Sequence, residues 1–194
     1  MAVALNVNGP LAPAVFKGGL FHADDNLVAR SSMAPGAGIT GVTNMDFRNW
    51  VYRVGDVIHT VIFIDLTGCN SGDADGDIIG KAATAGCHIG QVTTVKNGLI
   101  YKGKISCVET PAGGEPDIDV FTATEATGTE EEAISGLTST SMLAAAADWT
   151  KGVQKDFTGN VIADKYLYLV ASGGATNDTY TAGQFVLELW GYVV

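Results

Sequence analysis

The chain has 194 residues, 46% hydrophobic and only 16% charged, with Gly at 25 positions. An ordinary apolar content beside a charged fraction well under the usual roughly 25% excludes a disordered chain and provides for one hydrophobic core. Eleven Lys plus Arg against 21 Asp plus Glu leave a formal charge of −10, which repels phosphate backbones and anionic headgroups and argues against nucleic acid and membranes as partners.

Met1 to Pro13 has no basic n-region and no apolar run of signal-peptide length, and no stretch approaches the roughly 20 apolar residues of a bilayer span. The expectation is a soluble chain made in a cytoplasm. Residues 1–46 are broken by Gly9-Pro10, Ala12-Pro13, Gly18-Gly19 and Pro35-Gly36, yet carry Leu5, Val7, Leu11, Val15, Phe16, Leu20, Phe21, Leu27 and Val28. Such apolar content predicts an extended N-terminal arm that lies on a neighbouring subunit, followed by a β domain over 47–194.

From Trp50 onward the pattern is that of strands. Val57 to Leu66 is β-branched on both faces, which predicts a central strand covered on both sides. Asn97-Gly98 predicts a hairpin joining Cys87–Lys96 to Leu99–Val108. In that register Cys87 and Cys107 point to opposite faces, so no disulfide joins them, and Cys69 with the other two reads as a small buried hydrophobe. Asp117 to Thr122, Tyr166 to Ala171 and Gln184 to Tyr192 complete the strands, the last one anchoring the C-terminus. Ser141 followed by Met142-Leu143-Ala144-Ala145-Ala146-Ala147-Asp148-Trp149 predicts one short helix stopped at Lys151-Gly152. The expected fold class is all-β, an antiparallel β-sandwich or jelly roll with a long irregular N-terminal arm.

The chemical signals are sparse. Gly36-Ala37-Gly38-Ile39-Thr40-Gly41 fits GxGxxG, but Pro35 rather than a strand precedes it and Val42-Thr43-Asn44-Met45 are poor helix formers, so it reads as a Gly-rich loop. Asp73, Asp75 and Asp77 alternate as the start of a Ca²⁺ oxygen cage does, although Ile78 and Thr84 stand where an EF-hand loop has Gly and Glu. A solvated acidic loop is the competing reading. His22, His59 and His88 lack zinc-site spacing, and His59, alternating with Val57, Val61 and Phe63, reads as a buried or interface histidine. Gly68-Cys69-Asn70-Ser71-Gly72 is offset from a nucleophile elbow. Glu109, Glu115, Asp117, Asp119 and Glu125 lie near one another, as an acid pair for glycoside hydrolysis requires and as surface strands also do. Glu130-Glu131-Glu132 reads as a solvated acidic face or a helix N-terminal turn. Tyr166, Tyr168, Trp190 and Tyr192 at period two suit inter-strand packing or, if exposed, a sugar platform. No catalytic residue and no cofactor is expected.

The succession Asp65-Leu66-Thr67-Gly68, Asp77-Ile78-Ile79-Gly80 and Cys87-His88-Ile89-Gly90-Gln91-Val92-Thr93 resembles a group of small structural proteins of tailed marine bacteriophages. Asp117 to Glu125, Lys165 to Leu169 and Thr179 to Tyr192 are similar to them too, so the resemblance spans roughly residues 57–192. It implies a non-enzymatic virion protein, a jelly-roll decoration or cement protein on the capsid surface, forming trimers and bound to the major capsid protein. A tail-fibre or receptor-binding β module for a host glycan is the alternative, and a glycan hydrolase the third.

Overall fold

The structure is a computed structural model that describes residues 32–144, 148–159, 164–173 and 178–194. Strands β1 (Phe47–Val54), β2 (Val57–Asp65), β3 (Gly90–Val92), β4 (Leu99–Ala112), β5 (Ile118–Ala123), β6 (Ser139–Ser141), β7 (Gln154–Asp156), β8 (Lys165–Ala171) and β9 (Ala182–Tyr192) form two antiparallel sheets. Their orders are β1-β2-β9-β4-β7 and β3-β8-β5-β6. Pairing joins β2 to β9, β3 to β8, β4 to β7 and β5 to β6. That is a long hairpin ribbon rolled across two sheets, the winding of a jelly roll, with β1 added at one edge.

Period two explains the main core. On β9 Phe185, Leu187 and Leu189 are buried while Gln184, Val186, Glu188 and Trp190 alternate outward. They meet Ile62, Ile64 and Ile105 from the same sheet and Val120, Leu167 and Leu169 from the other. Trp149 spans the layers, its indole edge-on to Phe185 at 5.3 Å and its Nε1–H donated to Ile118 O at 2.7 Å. A second cluster, Ile78, Cys87, Ala123, Ile134, Tyr168 and Val170, fills the far side of the four-stranded sheet. Segments 70–89 and 124–138 cover it, tied down by bridges Ile78 to Val170, Asp77 to Ala133 and Ala85 to Thr129. The fold therefore has three layers over two apolar interiors.

Four local expectations are corrected. The hairpin at Asn97-Gly98 is absent, because Thr94–Asn97 form a one-turn helix, α2, whose Thr93 side chain caps Lys96 N and whose Gly98 takes φ +72°. A type I′ turn needs positive φ at both residues, and Asn97 is not among the positive-φ positions. Instead Asn97 is buried, donating Nδ2–H to Thr60 Oγ1 at 2.9 Å and accepting from Thr93 N at 2.9 Å. β3 and β4 consequently belong to different sheets. Cys87 and Cys107 are thus apart for a different reason from the register argument, and all three cysteines are free and buried.

The helix expected from Ser141 does not form in its described part. Ser141 ends β6, and Met142 N and Trp149 N bond to Val120 O and Pro116 O, so the apolar residues plug the core from an irregular backbone. Residues 145–147 lie outside the described residues. The Gly-rich loop instead holds a one-turn helix, α1 (Ala37–Thr40). Part of the expected arm is built into the body, since Met33, Ile39 and Val42 are core residues. Residues 1–31, with most of the arm's apolar side chains and His22, lie outside the described residues.

Candidate functional site

β2 is interior to its sheet, but its burial alternates: Thr60, Ile62 and Ile64 are fully enclosed and Val57, His59, Val61 and Phe63 half so. Its second face is open rather than covered as expected. Cross-strand register assembles that face. His59 stands opposite Trp190 on β9 and Tyr52 on β1, and Trp50 opposite Val61. At β4 a register shift between Ile100 and Lys102 sets Tyr101 and Lys102 against Tyr192 and Trp190. An extra residue of this kind turns two consecutive side chains to one side, and both are exposed.

The rings lock one another. Tyr101 stacks on Tyr192 at 4.3 Å, and His59 on Trp190 at 4.8 Å. The Lys102 ammonium lies 5.1 Å from the Trp190 ring centroid, a cation–π distance. Because β2 and β4 flank β9 on opposite sides, His59 and Lys102 occupy opposite faces of the indole. Trp190 therefore offers its edge. Lys104 pairs with Glu188 at 2.8 Å, and Glu188 faces His59 Nε2 at 3.4 Å. The Glu188 carboxylate facing Nε2 assigns the ring proton to that nitrogen, so Nδ1 accepts from the Tyr52 hydroxyl. Burial lowers the His59 pKa, Glu188 opposes the shift, and Lys104 adds to it, so the ring is neutral at neutral pH. Trp50, Val54, Leu99, Tyr101, Val108 and Tyr192 extend the exposed apolar surface.

Elsewhere the expected site residues separate. Asp77 is buried and turned into its own loop, where Oδ2 accepts from Asp73 N at 3.1 Å and Ala74 N at 2.9 Å. Asp73 is exposed, and Asp75 Oδ1 accepts from Gly173 N at 3.1 Å. The three carboxylates do not converge; among the described residues no three His, Cys, Asp or Glu side chains are grouped to hold a metal. Of the five acids, Glu109 reaches the Gly183 amide at 3.4 Å, and Glu125 accepts from Thr138. Glu115, Asp117 and Asp119 are buried together instead of standing on a strand surface. The Glu130-Glu131-Glu132 run is also not simply solvated: Glu130 is buried and accepts from Ala83 N at 2.8 Å, while Glu132 accepts from Thr129 N at 2.9 Å.

His88 packs on Tyr166 at 4.7 Å, on the covered side of the molecule, and burial lowers its pKa. Tyr166 and Tyr168 belong with that sheet, so the expected four-ring set divides and only Trp190 and Tyr192 reach the open face. The glycines of GxGxxG serve packing. A Cβ on Gly38 would lie 2.3 Å from Cys87 Sγ, and one on Gly36 2.0 Å from Gly86 O. Tyr52, Tyr101, Lys102, Lys104 and Glu188 escaped the sequence reading, although Trp50 and Tyr52 carry the period-two signal on β1. No protein-family model, curated protein or solved structure matches this chain.

Proposed function

We propose that the chain is a structural subunit of a tailed-phage virion, a decoration or cement protein that binds its own copies, as a trimer, and the major capsid protein through the open face of the five-stranded sheet. The observation that carries this reading is the aromatic row Tyr52, Trp190, Tyr101 and Tyr192, fixed by stacking and ion pairing, with Tyr52 and Trp190 half-buried and Tyr101 and Tyr192 exposed. A contiguous apolar patch on a soluble fold marks a binding surface. Rings held before binding lose little freedom on association, and tyrosine and tryptophan anchors dominate such interfaces. The jelly-roll winding recurs in capsid and lectin domains, and the phage resemblance selects the first. A subunit that binds the assembled shell stabilises it by mass action, and the charge of −10 steers it toward a neutral or basic lattice.

A host-glycan module is the alternative, but a sugar stacks on the face of an indole, and both faces of Trp190 are taken. The test is to locate the chain in the intact particle and to sediment purified protein with heads lacking it. High copy number on the shell, with binding weakened at least tenfold by Tyr192→Glu, supports the proposal. A few copies confined to the tail, or head binding indifferent to Tyr192→Glu and Tyr101→Glu, would overturn it.

A further inference from the structure

We propose that the chain also binds one hard divalent cation, calcium in preference to a transition metal, between the carboxylates of Asp117 and Asp119 at the start of β5. The two residues are 7% and 8% exposed, and among the described residues each keeps its Oδ1 without a hydrogen-bond partner. Enclosed carboxylate oxygens without donors are strongly destabilising unless something supplies positive charge. Their i, i+2 spacing puts both on the face of β5 opposite Ile118 and Val120.

One turn binds the Asp119 carboxylate and the Asp117 backbone carbonyl. Ser172 Oγ donates to Asp119 Oδ2 at 3.1 Å, and Ser172 N donates to Asp117 O at 2.8 Å. Gly173 follows with φ +93°, and a Cβ there would lie 3.1 Å from Asp117 Oδ2, so the turn passes directly against the acid. Asp75 reaches the same turn through Gly173 N.

The local charge is unbalanced. Asp117 feels Asp119, Asp148 and Glu115, and Asp119 feels Asp75, while the cation acting on both is Lys155, whose ammonium also lies 4.4 Å over the Trp149 ring. Burial first, and Asp119 next, push the Asp117 carboxyl up to about 6. The available donors are carboxylate, hydroxyl and carbonyl oxygens, which suit a hard cation. Two carboxylates with water completing the shell is within the habits of such ions. This set shares Asp75, as an outer neighbour, with the alternating acids of the 73–77 loop, but its ligands are different.

The full chain, stripped with a chelator, is titrated with calcium and separately with magnesium at neutral pH, with heat and melting temperature recorded. The expected result is one equivalent of calcium and a rise of several degrees, both weakened at least about tenfold in Asp119→Asn and in Asp117→Asn. Amides suit the enclosed site without a metal, so both variants are expected to melt at or above the stripped wild type, which separates lost binding from lost folding. Asp73→Asn should titrate as wild type does. The proposal is overturned by the absence of heat and of any melting shift at about 10 mM of either cation, beyond the weakest calcium modules. It is equally overturned if Asp117→Asn and Asp119→Asn bind as wild type, or if Asp73→Asn alone abolishes binding.

Discussion

On the four-stranded sheet the outward side chains Phe121, Ala123, Tyr168 and Val170 lie beneath segments 70–89 and 124–138. On the five-stranded sheet the outward Trp50, Tyr101 and Tyr192 stand at the surface. Both faces are rich in aromatic and β-branched residues at period two, so the residues themselves do not make the difference. Connection length does. β2 to β3 and β5 to β6 are joined by long segments that fold back as a third layer, whereas β1 to β2 is joined by Gly55-Asp56 alone. An apolar outward face under long connections becomes core, and the same kind of face beside a tight turn stays available to a partner.

The largest expected effect breaks or sustains that contrast directly. Tyr168 is fully buried, donates to Glu125 O at 2.8 Å and accepts from Gly128 N at 3.3 Å. Tyr168→Ala should destabilise by about 3–5 kcal/mol in urea unfolding, since it leaves a cavity and orphans both partners. Tyr101→Ala on the open face should cost under about 1 kcal/mol, at the level of one stacked pair. Equal losses at the two positions would mean that the open face is as integral to folding as the covered one.

The sandwich was legible in the sequence because strands announce themselves locally. The strand-forming runs at Val57, Asp117, Tyr166 and Gln184 all became strands. What failed depended on partners distant in sequence. Asn97-Gly98 has strong hairpin chemistry, but a buried hydrogen bond to Thr60 outweighed it. The alanine-rich run after Ser141 has strong helix propensity, but Met142, Leu143 and Trp149 drop into a core that propensity does not describe. The open face was legible in part. Trp190 and Tyr192 stood out, but their companions depend on which strands flank β9, and Tyr101 depends on a register shift. Asp117 and Asp119 were visible as alternate acids, while their burial beside Ser172 needed the fold.

A second, smaller effect tests the covered side at its glycines. Gly38→Ala places a methyl 2.3 Å from Cys87 Sγ, within the layer that roofs the four-stranded sheet. Overpacking of this kind should cost about 1–3 kcal/mol in urea unfolding. A neutral outcome would show that the roof is loosely held and that the two outer faces differ less than their burial implies.

The third effect is one of pH. The Asp117 pKa is raised in the fold, to about 6 from 3.8. The folded state then holds its proton more tightly, so this contribution is full below the unfolded pKa and is lost as pH rises through the folded one. In chelator, wild type should gain stability on acidification from neutral pH toward about pH 5, and Asp117→Asn should reduce that gain, the remainder belonging to Asp119, whose carboxyl burial also pushes up. An unchanged pH profile in the variant would take the carboxyl out of the enclosed site.

The smallest effect has the opposite sign and belongs to the open face. His59 has its pKa lowered, chiefly by burial, so folding favours the neutral ring. Its contribution is present above the unfolded value of 6.5 and falls away as pH drops below it. Protonation also puts a hydrogen on Nδ1, which can then no longer accept from the Tyr52 hydroxyl. Pairing of the new charge with Glu188 offsets part of this, and Lys104 already occupies the other oxygen of that carboxylate. In an Asp117→Asn, Asp119→Asn background, where both opposing carboxyl slopes are gone, acidification below 6.5 should therefore weaken the fold slightly. His59→Gln, which keeps an acceptor for Tyr52 without titrating, should flatten the residual slope, read from melting curves at each pH. If the slope survives, the titrating group is His88 on the covered side, and the open face carries no pH sensitivity of its own.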